Sequence, residues 1–122
     1  MYVLSKRSED NLKGVHKDLV AVIYELLKVS PYDFTITEGL RTLERQKELF
    51  AQKKSKTLNS KHLIGRAVDF IVYDSGELTW ESMFYKSVAD KAKEVANKLN
   101  IPIIWGGDWA TFKDYDHLEL KD

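Results

Sequence analysis

The 122-residue sequence contains no cysteine, which removes disulfides, thiolate metal sites and cysteine nucleophiles at once. Any metal would then fall to His, Asp and Glu. Net charge is also absent: 19 basic residues balance 19 acidic ones, so the overall charge gives no support to nucleic-acid or membrane-surface binding. No apolar window is long enough to span a bilayer. The amino terminus runs Met1 to Arg7 and then Ser8-Glu9-Asp10-Asn11, where a secretory signal would need an apolar core. Linker composition, internal repeats and low-complexity tracts are missing too, so the length is that of one domain with its own core.

What is present is concentrated in Ser60-Lys61-His62-Leu63-Ile64-Gly65-Arg66-Ala67-Val68-Asp69. The β-branched run Ala67–Tyr73 reads as a strand, and it places the carboxylate of Asp69 where an apolar residue would be expected. A buried carboxylate must be paired or coordinated. With His62 it offers two metal ligands, and a catalytic zinc site takes three. His117, in Asp116-His117-Leu118-Glu119-Leu120, is the candidate third. Alternation there puts His117 and Glu119 on one face, and it predicts that Asp116 points the other way.

These segments resemble the zinc peptidoglycan peptidases, which include D-Ala-D-Ala carboxypeptidases and dipeptidases and phage L-alanyl-D-glutamate endopeptidases. The family motif Ser-x-His-x-x-Gly-x-Ala-x-Asp is matched by Ser60, His62, Gly65, Ala67 and Asp69. Its second motif, an acid three residues before a histidine, is matched by Asp114 and His117. Trp105-Gly106-Gly107, with Trp109 and Phe112, is most similar to the phage branch. A Gly-x-Arg-[Ser/Thr] pattern followed by glutamine is matched by Gly39, Arg41, Thr42 and Gln46. The likeness extends from about Leu12 to Glu119.

The resemblance implies one zinc ion on His62, Asp69 and His117, Asp114 as catalytic base and Arg41 as a charge near the reacting carbonyl. Ser60, Gln46 and Glu119 would stand behind these residues. It also implies hydrolysis of the L-alanyl-D-glutamate bond of peptidoglycan stem peptides. D-Ala-D-Ala hydrolysis is the alternative reaction. A non-catalytic zinc module, like the hedgehog domains that share the fold, is the alternative from outside enzymology. The implied setting is a monomeric phage endolysin made in the host cytoplasm. It would have no separate wall-binding domain and would reach the wall with the help of a holin-type membrane permeabiliser.

The expected fold is α+β, with about three helices on a small, mainly antiparallel sheet and the site on its open face. Ser8 is read as the cap of one long helix whose apolar stripe runs Leu12, Val15, Leu19, Val22, Ile23 and Leu26. His16 is read as a surface or packing residue at the edge of that stripe. Phe34–Glu38 reads as a strand and Thr42 as the cap of a second helix. Residues 74–77 read as a turn, and Thr79 as the cap of a third helix bearing Phe84, Val88, Ala92, Val95 and Leu99. Ile101–Trp105 reads as a further strand. Trp80, Met83 and Tyr85 are assigned to the core, and the basic stretch 52–61 to a solvated loop.

Overall fold

The computed structural model describes residues 1–55 and 57–122. Its helices are α1 (Lys6–Asn11), α2 (Lys17–Val29), α3 (Leu43–Ala51) and α4 (Ser82–Lys98). Its strands are β1 (Phe34–Glu38), β2 (Ala67–Asp74), β3 (Glu77–Thr79), β4 (Ile103–Trp105) and β5 (His117–Leu120). All pairings are antiparallel. The order is β1-β2-β5-β4, with β3 paired to the far end of β2.

Alternation along β2 decides the architecture. Val68, Phe70 and Val72 would be meaningless as an apolar stripe without a partner layer; with Ile36, Leu118 and Leu120 they form a single core with Leu19, Val22 and Ile23 of α2 and Val88, Ala89 and Ala92 of α4. Burying each large aliphatic side chain contributes about 1.5–3 kcal/mol. A slip of one residue would exchange that face for the one carrying Asp69, so register and site position are fixed together.

The single amino-terminal helix expected from periodicity is two helices. Ser5, not Ser8, caps α1, its Oγ accepting from the Ser8 amide at 3.1 Å. The chain then bends at Gly14, whose φ of +82° is left-handed. Ser8 is fully buried, and its Oγ accepts the Ile36 amide at 2.9 Å while Asn11 Nδ2 donates to the Ile36 carbonyl at 2.9 Å. Both polar groups of an edge-strand residue are thereby satisfied by side chains. His16 caps α2, its Nδ1 accepting from the Asp18 amide at 3.0 Å, in keeping with a role away from the ligands.

Thr42 caps α3 as expected, accepting from the Arg45 amide at 3.1 Å. Residues 74–77 do turn, with Ser75 and Gly76 both at positive φ, but they join β2 to β3, a short strand the sequence reading missed. Thr79 therefore ends β3, and α4 begins at Ser82. Of the three residues assigned to the core there, only Tyr85 is buried; Trp80 and Met83 are well exposed. The Tyr85 hydroxyl donates to the Thr79 carbonyl at 2.8 Å. Lys56, in the basic stretch, lies outside the described residues.

Candidate active site and metal centre

Three local features bring the expected ligands together. His62 sits on a 3₁₀ turn, Lys61–Ile64, capped by Ser60 Oγ, which accepts the His62 amide at 3.2 Å. Gly65 ends this turn at φ +71°, and a Cβ there would lie 2.4 Å from the Gly14 carbonyl oxygen, so both conformation and space require glycine. Asp69 on β2 and His117 on β5 are direct cross-strand partners. The His62 and His117 rings end 5.2 Å apart, centroid to centroid.

The hydrogen bonds assign each imidazole a free nitrogen. His62 Nδ1 lies 2.8 Å from the Gly39 carbonyl, which can only accept, so Nδ1 carries the proton and Nε2 faces Asp69 Oδ1 at 3.2 Å. His117 Nε2 lies 2.8 Å from Glu119 Oε1, leaving Nδ1 toward Asp69 Oδ1 at 3.4 Å. Lys61 Nζ, 2.9 Å from Glu119 Oε2, holds that carboxylate ionised. One ligand atom from each of His62, Asp69 and His117 falls within 4.8 Å of the others. Two imidazole nitrogens and a carboxylate oxygen, with both imidazoles oriented from behind, form a donor set that fits a divalent ion.

The electrostatics agree with that arrangement. Burial works to raise the Asp69 pKa, yet hydrogen bonds from His117 and His62 hold it well below the usual carboxylate range. Burial would likewise lower that of His117, but Asp69 and Glu119 outweigh it and raise the imidazole to about 9 without metal. For Glu119, burial is overcome by His117 and Lys61, and its pKa is lowered.

Arg41 is buried beside the cluster. One terminal nitrogen donates to Gln46 Oε1 at 2.7 Å; the other contacts Glu38 and Asp69 Oδ2, the latter at 3.3 Å. Gln46, fully buried, donates onward to Ser55 Oγ at 2.9 Å and to the Thr57 carbonyl at 2.6 Å. Sequence reasoning missed Glu38 and the pairing of Lys61. Glu38 reaches the site because the β1–β2 register shifts between Ile36 and Glu38, and no spacing rule reports such an irregularity.

Asp114 and Asp116 both line the cleft, and one oxygen from each can approach Asp69 within 4.8 Å. The expectation that Asp116 points away is therefore overturned. β5 begins at His117, so Asp116 precedes the alternating segment. Burial, then the hydrogen bond with Asp114 and the charge of Asp69, push the Asp116 carboxyl up to about 8. Asp114 is held close by Gly106, whose carbonyl accepts its amide at 3.1 Å; a Cβ on Gly106 would stand 2.2 Å from the Asp114 carbonyl oxygen. Trp109 packs against His117 with ring centroids 5.0 Å apart. The whole cleft encloses about 510 Å³, and Arg45, Lys54 and Thr57 form one of its walls.

The chain is similar to several known proteins. The L-alanyl-D-glutamate peptidase of Escherichia phage T5 is 36% identical, over 98% of this chain and 90% of its own. The peptidoglycan L-alanyl-D-glutamate endopeptidase CwlK of Bacillus subtilis is 35% identical over 72% of this chain and 60% of its own. The crystal structure of the Serratia marcescens L-Ala D-Glu endopeptidase ChiX superposes with a TM-score of 0.91 at 42% identity, covering 97% of this chain and 89% of that one. The vancomycin-resistance D,D-dipeptidase VanXYg shares the fold at 12% identity, with a TM-score of 0.54, over 87% of this chain and 50% of its own. Residues 1–121 match the phage L-alanyl-D-glutamate peptidase family, and the chain belongs to that family.

Proposed function

We propose that this protein is a zinc-dependent endopeptidase that hydrolyses the L-alanyl-D-glutamate bond of peptidoglycan stem peptides. The observation that carries the reading is the convergence of His62, Asp69 and His117 with Asp114 on the wall of the same cleft. His62, Asp69 and His117 would hold a zinc ion, which when bound would supply Lewis acidity toward the scissile carbonyl and lower the pKa of water into the neutral range. Asp114 takes the proton from the attacking water and returns it to the departing amine of D-glutamate. His62 and His117 hold their orientations through Gly39 and Glu119, and Lys61 keeps Glu119 ionised.

Arg41 has both terminal nitrogens engaged by protein, so its effect on the developing oxyanion is that of a nearby fixed charge. Among the proposed metal ligands it contacts Asp69, which it helps to hold in place. The D-Ala-D-Ala alternative has only a fold-level likeness behind it.

Digestion of purified peptidoglycan, followed by mass spectrometry, should reveal new amino-terminal D-glutamate; a chelator should abolish it and zinc restore it. Free D-alanine as the sole product would favour the dipeptidase reading, and zinc binding without any product a non-catalytic module. We place the enzyme in phage lysis, acting as a monomeric catalytic domain synthesised in the host cytoplasm. Among the described residues, no helix is long and apolar enough to cross a membrane. Purified protein should accordingly lyse cells only after their membrane is permeabilised, the task assigned to a holin-type partner.

A further inference from the structure

The sheet face that carries the ligands continues past them. Asp69, Ile71 and Tyr73 share one side of β2, and Thr35 of β1 pairs with Ile71 on that side. Near its far end lies a second cavity of about 470 Å³, lined by Tyr2, Tyr32, Asp33, Thr35, Tyr73 and the Ser75–Gly76 turn. The three tyrosines are half-buried; Tyr2 and Tyr32 also pack against the core, the Tyr32 ring meeting Phe84 edge-on at 4.9 Å between centroids. The hydroxyls of Thr35 and Tyr73 stand 3.2 Å apart. Tyr73 is four residues beyond Asp69, about 13 Å at ~3.3 Å per residue.

The two ends of this face differ in charge. The catalytic cleft is densely charged: Glu38, Asp69, Asp114, Asp116 and Glu119 gather around the histidines and Arg41, and α3 and the loop after it, which follow β1 at its Glu38 end, add Arg45, 3.8 Å from Glu38, and Lys54. Among the described residues, those lining the tyrosine groove include no cation, and their one carboxylate, Asp33, accepts its neighbour's amide at 2.9 Å.

A substrate cut between L-alanine and D-glutamate has the same asymmetry; the inference rests on that assignment of the reaction. On the leaving side is an acidic peptide. On the other side, a single alanine and a lactyl ether separate the scissile bond from an uncharged glycan strand. Charge complementarity directs the acidic half toward Arg45 and Lys54 and the neutral half toward the tyrosines. We propose that the groove formed by Tyr2, Tyr32 and Tyr73 is a glycan subsite, holding sugars of the strand from which the cleaved stem projects. The C–H faces of pyranose rings pack on tyrosine rings, while phenol hydroxyls, Thr35 and Asp33 take up sugar hydroxyls.

The test compares cleavage of two substrates: stem-bearing glycan fragments of two or more disaccharides, and the same stem peptide freed of sugar. For Tyr73→Ala, the ratio of glycan-bearing to sugar-free rates should fall about 3–10-fold, the value of one aromatic contact. Tyr73→Phe, which keeps the ring, should recover most of it. An equal loss on both substrates, or no loss on the glycan-bearing one, overturns the subsite while leaving the reaction intact. If wild-type protein cuts neither substrate at the L-alanyl-D-glutamate bond, the reaction assignment falls, and the subsite with it. Should Tyr73→Ala fail to fold, ¹⁵N NMR titration of wild-type protein with peptide-free glycan strands decides. Shifts centred on Tyr73, Ser75 and Gly76 are expected; no shifts, or shifts confined to the catalytic cleft, overturn the proposal.

Discussion

Replacing Glu119 by Gln tests whether the proposed metal centre is oriented from behind. The carboxylate serves two donors at once, His117 Nε2 at 2.8 Å and Lys61 Nζ at 2.9 Å, one on each oxygen. Glutamine is nearly isosteric but has one acceptor oxygen for those two donors, so either the imidazole or the ammonium loses its partner. With the Glu119 side chain only 12% exposed, water compensates poorly. Losing an oriented carboxylate behind a ligand histidine typically weakens metal binding 10–100-fold, or about 1.4–2.7 kcal/mol. That range overlaps the roughly 1.5–3 kcal/mol of a charge-assisted hydrogen bond.

One effect opposes this loss. The same carboxylate helps raise His117 to about 9, so at neutral pH it also favours the proton that competes with the ion. Zinc affinity should therefore be measured by competition with a chromogenic chelator at pH 7.5 and again at pH 9.5, where the loss should be larger. A correctly folded variant whose dissociation constant stays within about threefold of wild type at both pH values, against the 10–100-fold expected, would refute the reasoning.

Other outcomes are equally specific. Asp114→Ala should bind zinc normally yet lose about 10²–10⁴-fold in turnover; near-normal turnover would mean that the base is misassigned. His62→Ala, Asp69→Ala and His117→Ala should each fail to retain zinc on dialysis, and a stoichiometric ion in any of them would contradict the ligand set. Gly106→Ala forces a Cβ against the Asp114 carbonyl and should cost roughly 10²-fold in turnover with zinc retained, as expected when a reacting group shifts by about 1 Å. For metal-free protein, Asp116 and His117 both bind protons more tightly when folded. The Asp116 contribution to stability is complete below its ordinary pKa near 3.8 and lost as pH rises through about 8; that of His117 is complete below 6.5 and lost through about 9. The melting temperature should thus fall between pH 6.5 and 9, and Asp116→Asn should flatten part of the decline. A flat or rising profile in metal-free wild-type protein would exclude this linkage.

The convergence of the candidate residues was largely legible because they lie at short spacings. The turn that carries His62 and the strand that carries Asp69 are adjacent in the sequence, and alternation alone put Glu119 beside His117. What escaped depends on contacts between distant segments. Periodicity ran straight through Gly14, since Leu12, Val15 and Leu19 suit one helix as well as two. Ser8 has the chemistry of a cap, yet its hydroxyl is used on Ile36, which no local rule foresees. Asp116 was misplaced because alternation was extended one residue beyond the strand that justifies it.

The bend at Gly14 has a consequence for how the protein can be altered. His16 donates its amide to the Gly65 carbonyl at 2.8 Å, and Gly65 itself lies flush against Gly14. The amino-terminal helical pair is thus a buttress for the turn on which His62, one of the proposed metal ligands, is mounted. Trimming the chain back past this elbow should unseat that imidazole even though every proposed catalytic side chain remained, so the first fifteen residues support the candidate site as much as the cleft walls do.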